Sequence, residues 1–83
     1  MDENIKRSLK EFIANRFMEG QASINDNDSL FEMNVIDSLS MLELLAFIEE
    51  NFSISINPSE IMIDNFDSVN KITRLIKDKK RRT

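Results

Sequence analysis

A chain of 83 residues is enough for one small domain and too short for two, and a domain of this size buries only a modest core. It contains no Cys and no His, which removes disulfides, the usual zinc sites and any Ser–His or Cys–His nucleophile pair. The net charge of −4 is unevenly spread: no Lys or Arg lies between Arg16 and Lys71, a stretch that holds most of the acids, so the middle of the chain is expected to present a negative field that steers cationic partners and repels nucleic acid.

The N-terminal segment MDENIKRSLK lacks the apolar centre of a signal peptide, and no apolar run in the chain approaches the length of a membrane span. A soluble, cytoplasmic protein is therefore expected. From about Glu3 to Met18, Ile5, Leu9, Phe12, Ile13 and Phe17 recur on one helical face, which predicts a first amphipathic helix. Gly20, the only glycine, is placed to end it. Gln21 to Ile36 is a long connection rich in Ser, Asn and Asp. Ile24, Leu30, Phe31, Val35 and Ile36 punctuate it, so it reads as an ordered loop pinned to the helices, with a short turn at Ser29–Glu32.

A second helix is predicted from about Ser38 to Asn51, rich in Leu, Met, Ala and Glu. Asp37 and Ser38 both suit a helix start, and Ser40 with Glu43 three residues on offers a capping box as another register. Met41, Leu44, Leu45, Ile48 and Phe52 share one face. Leu39, Leu42 and Ala46 make a second strip mixed with Glu43, Glu49 and Glu50, the pattern of a protein-binding surface or, alternatively, of a central helix buried all round. Ser53 to Asn57 alternates like a strand but has no evident pairing partner, and reads as an extended connection. Asn57-Pro58-Ser59-Glu60 carries the marks of a helix start and predicts a short third helix, about Pro58 to Ile63, with Asp64 to Phe66 as a turn. Asp67 or Ser68 caps a last helix with Val69, Ile72, Leu75 and Ile76 on one face. The run Lys77 to Arg82 suits the negative end of that helix and is expected to fray into solvent. The expected architecture is an all-α four-helix bundle with a short third helix and a long loop between helices one and two. It forms a single domain over 1–83, with its core at about 3–77 and a basic tail at 78–83.

A serine hydroxyl thus sits at, or one residue from, the first turn of the second helix. Unpaired N–H groups and the positive end of the helix dipole favour a phosphate ester there. As a nucleophile Ser38 lacks a base: there is no His, the lysines are remote in sequence, and adjacent helical residues such as Asp37 do not face it. On spacing and charge alone, Ser38 is either a helix cap or a residue that another enzyme modifies.

Asp37-Ser38-Leu39 after a small apolar pair, followed by an acidic, Leu-rich helix, resembles the acyl and peptidyl carrier proteins. Ser29-Leu30-Phe31-Glu32 upstream and Asn65-Phe66-Asp67-Ser68-Val69 downstream resemble the family's pattern as well, so the resemblance runs from about Ile5 to Ile76. It implies a 4'-phosphopantetheine arm on Ser38, with Asp37 and Leu39 at the attachment site and Asp37 helping to dock the phosphopantetheinyl transferase. It also implies that Leu42, Glu43, Ala46, Glu49 and Glu50 meet basic patches of acyl- or aminoacyl-activating and condensing enzymes. No metal ligand set, no catalytic residue, no nucleic-acid partner and a monomer are the accompanying expectations.

The function implied is that of a discrete carrier, not an enzyme. It would hold acyl or aminoacyl groups as thioesters and shuttle them in fatty-acid, polyketide, peptide or modified-lipid synthesis. Three departures from the family pattern stand out: Asn34 where a glycine is usual, Ser40 where many relatives have an acid, and Ser53 in place of a helix-end glycine. Asn34 and Ser40, with the Asn-Phe-Asp-Ser-Val segment, lean toward a specialised pathway over general fatty-acid synthesis. An unmodified acidic helical adaptor is the reading from another class.

Overall fold

The structure, a computed structural model, describes residues 2–20 and 24–82. Gln21 to Ser23 of the predicted connection, Met1 and Thr83 of the basic tail lie outside the described residues. Among the described residues four helices occur in chain order, α1 (Asp2–Phe17), α2 (Ser38–Phe52), α3 (Ile63–Phe66) and α4 (Val69–Arg82), with a 3-10 turn at Pro58–Glu60. There is no strand among the described residues, and the all-α expectation holds.

Each long helix turns its apolar stripe inward. Ile5, Leu9 and Ile13 of α1, Leu44 and Ile48 of α2, and Val69, Ile72, Leu75 and Ile76 of α4 are buried together, with Phe66 of α3 the largest fully buried side chain. Phe12 and Phe47 stack across α1 and α2 at 4.1 Å between ring centroids, at the half-buried margin of this core. Past the end of α1 the chain turns through two left-handed residues, Glu19 at φ 54° and Gly20 at φ 72°. A side chain at Gly20 would meet only the Asn15 amide at 3.5 Å, so backbone conformation and not space calls for glycine here.

The long connection is moored, as its apolar residues predict. Ile24, Leu30 and Ile36 are buried. The Asp67 carboxylate accepts from the Ser29 hydroxyl at 2.8 Å and from the Phe31 N–H at 3.2 Å, while the Asp67 carbonyl accepts from the Leu30 N–H at 2.7 Å. The start of α4 adds a second mooring, with the Asn70 N–H donating to the Asp26 carbonyl at 3.0 Å. Asp26 in turn pairs with Lys10 at 2.5 Å and Lys6 at 3.2 Å, and these ammonium groups, Lys10 foremost, hold its carboxyl below the ordinary value. Asn34 takes the left-handed conformation at φ 59°. Asn is the residue after glycine that tolerates it best.

Three expectations are corrected. The third helix does not run from Pro58 to Ile63. Asn57 and Glu60 do form a capping box, with the Glu60 carboxylate accepting from the Asn57 N–H at 2.9 Å. The turn it starts closes after one round, and Met62 is extended at φ −132°. Helix resumes at Ile63–Phe66 and so takes in Asp64 to Phe66, the predicted turn, where coiling carries Phe66 into the core. The Asn65 amide donates to the Glu60 carbonyl at 2.8 Å and joins the two pieces.

Nor does the basic run fray. Helix α4 continues to Arg82; Lys79 pairs with Glu60 at 2.5 Å, and Lys80 donates to the Phe52 carbonyl, the last of α2, at 3.0 Å. This supplies an orphan carbonyl with a cation just where Ser53 turns left-handed at φ 56°. The negative field of the middle stretch is also weaker than composition implies. Asp26, Glu43 and Glu60 all face cations contributed by the two ends of the chain.

Candidate functional site

The loop delivers the chain to α2 through buried Ile36, and Asp37 then caps the helix. Its backbone is extended, at φ −121° and ψ −169°, and its carboxylate accepts from the Ser40 N–H at 2.8 Å. This settles the register: Ser40 is the third helical residue and not a cap, and its Glu43 partner looks elsewhere. The Ser40 N–H, with the Ser40 hydroxyl second, holds the Asp37 carboxyl below its ordinary value.

The sign follows from that depression. Capping by Asp37 contributes stability above the unfolded carboxyl value and loses it as the pH falls below about 4 and through the depressed value. Asp37→Asn retains an acceptor with no titration. The difference in melting temperature between the parent chain and Asp37→Asn should therefore shrink on acidification from pH 7 to about 3. Asp37→Ala should melt a few degrees lower at neutral pH, measured by circular dichroism.

Ser38 is the first residue of α2 and is exposed, and no described group pairs with its hydroxyl. Leu39 is 71% exposed and Leu42 55%, and Ala46 continues the same strip one turn on. The predicted acids separate. Glu50 is exposed, whereas Glu49 accepts from the Ile56 N–H at 2.9 Å and holds the extended connection. Glu43 takes a two-pronged bond from Arg16 of α1, at 2.8 and 3.1 Å.

Sequence reasoning missed three exposed apolar residues, Met33, Met62 and Ile63, the last two 50% and 57% exposed. A 3-10 turn that ends at Glu60 is what frees Met62 and Ile63 from a continuous helix. It also missed Arg16 as the partner of Glu43, a contact for which no periodic signal exists.

An ester at Ser38 requires an alcohol oxygen that solvent and a transferase can reach, and freedom from competing hydrogen bonds. The Ser38 hydroxyl is exposed to solvent and pairs with no described group. The neighbouring carboxylate occupies the Ser40 N–H, so that donor is not open to a phosphate at the start of α2.

The residue pattern described as the phosphopantetheine attachment site matches residues 7–76. The chain belongs to this family of carrier proteins. Carriers of the family hold 4'-phosphopantetheine covalently, and this one does so too. The carrier is 36% identical over 69 residues to the D-alanyl carrier protein of Streptococcus sanguinis, covering 83% of this chain and 86% of that protein. It is 35% identical, with the same coverage, to the D-alanyl carrier protein of Streptococcus mutans. Among solved structures, a chain from "Crystal structure of FAD-dependent dehydrogenase" superposes with a TM-score of 0.74 at 36% identity, over 82% of the carrier and 97% of that chain. That chain is thus of carrier size. No helix among the described residues is long and apolar enough to cross a membrane, and no group of three or more potential metal ligands occurs among them.

Proposed function

We propose that Ser38 is the attachment residue and that the protein carries an aminoacyl group as a thioester between enzymes, performing no chemistry itself. One observation carries the reading: the Ser38 hydroxyl is exposed and uncommitted at the start of α2, inside the segment that matches the family. Phosphopantetheine, when bound, supplies a flexible tether ending in the thiol that forms the thioester. Around it the chain offers no Cys or His to attack such a bond. Asp37 caps α2 and docks the transferase. Leu39, Leu42, Ala46 and Glu50 form the face that loading enzymes meet. Glu43 reaches a partner's cation only by exchanging Arg16 for it, and Glu49 only by releasing Ile56.

An aminoacyl cargo is favoured over a fatty-acyl one because the similar curated proteins named above are D-alanyl carriers. A second reading rests on the similar chain solved in a structure named for a FAD-dependent dehydrogenase: the tethered cargo is oxidised by a flavin enzyme while on the arm. Incubation with a broad-specificity transferase and coenzyme A should add the mass of one phosphopantetheine. The modified protein, offered to a D-alanine-activating enzyme with ATP, should then gain one alanyl group. Modification without alanylation would redirect the search to other amino acids and to dehydrogenases. Absence of modification with any transferase would favour the unmodified adaptor.

A further inference from the structure

Opposite in sign to the acids of α2 stands a groove of about 400 Å³ where α1, the connection and α4 meet. Lys6, Lys71, Arg74, Lys77 and Arg81 line it, and none of its lining residues belongs to α2. The two carboxylates on its wall are Asp67, occupied by Ser29 and the Phe31 N–H, and Asp78. Lys71, Arg74 and Arg81 are exposed and recur along α4 at helical spacing, so they form a cationic strip about 15 Å long, in which the half-buried Asp78 is the one acid of α4. We infer that this strip docks the protein reversibly on an anionic lipid surface, a role independent of the carrier reading.

The chemistry of the groove chooses among anionic partners. A tight protein interface is anchored by buried aromatic or large apolar side chains, and a single-strand nucleic-acid groove by aromatics on which bases stack. This groove is lined by neither; its remaining walls are Asn, Ser and Thr. Attraction without an anchor is what a bilayer with acidic head groups provides, because every cation on one face feels the surface potential at once. Nor does the net charge of −4 forbid it. Screening at physiological salt acts over about 8 Å, while the molecule measures 20 Å even along its shortest axis. The face nearest a membrane therefore governs the encounter.

The test is cosedimentation of the full-length protein with phosphatidylcholine vesicles that contain or lack phosphatidylglycerol, at low and at physiological salt. Binding to the acidic vesicles alone, released by salt, is expected. The variant K71Q/R74Q/R81Q changes only exposed positions, and circular dichroism should show it folded. It should bind about a hundredfold more weakly. The same three substitutions should leave modification by the transferase unchanged. Failure of the parent protein to bind acidic vesicles at low salt would overturn the proposal, as would a folded variant that binds like the parent. Tighter binding to a DNA duplex than to the vesicles would overturn it in favour of a nucleic-acid site.

Discussion

Ser38→Ala should take up no phosphopantetheine, while Ser40→Ala, two residues away, should be modified like the parent chain. This is the largest effect expected, an all-or-none change read by intact-protein mass after incubation with a transferase and coenzyme A. The two serines make an internal control. Both lie in the first turn of α2, but Ser38 is exposed and unpaired whereas Ser40 is half-buried and serves the Asp37 cap. Melting curves should separate loss of the acceptor from loss of the fold. Ser38→Ala removes no hydrogen bond described in the structure and should melt within a degree or two of the parent. The opposite outcome, modification of Ser38→Ala with loss in Ser40→Ala, would move the attachment point and undo the site assigned to α2.

Phe66→Ala should cost roughly 3–5 kcal/mol, the range for removing a fully buried aromatic side chain. A domain of this length has on the order of 5–10 kcal/mol in all, so the variant should sit near the edge of folding. The reason lies in where Phe66 stands. It is fully buried, α3 packs on α4, and the next residue, Asp67, holds the connection through Ser29 and the Phe31 N–H. Urea titration should show a lower midpoint with an unchanged slope. A loss below about 1 kcal/mol would mean that the cavity collapses and that α3 is no part of the central packing.

Much of this was legible because it is local. The stripe Ile5–Leu9–Ile13 and the row Val69–Ile72–Ile76 announce two helices by spacing alone, and all six residues are buried. Asp37 as a helix start and Asn34 as a positive-φ residue follow from backbone preferences that act within one turn. The third helix was misplaced because a capping box reports where coiling starts and not how long it lasts. Asn57-Pro58-Ser59-Glu60 begins one turn, but only the long-range burial of Phe66 decides where the next begins. At the site, exposure of Ser38 could be anticipated from its neighbours. Capture of Glu43 by Arg16 could not, since it joins residues 27 apart with no repeating pattern. Clasping of the end of α2 by Lys80, across 28 residues, escaped for the same reason.

The ion pairs described for Lys6, Lys10, Arg16 and Lys79 all join a cation near one end of the chain to an acid of the stretch between Arg16 and Lys71. A polymer built this way, cationic at both ends and anionic between, is a block polyampholyte. Its blocks keep their order when packing is lost, so they go on attracting one another and draw the denatured ensemble inward at low ionic strength. Added salt relaxes that contraction as well as the native pairs. Folding free energy should therefore respond to salt less than a tally of bridges implies, because both states lose the same attraction.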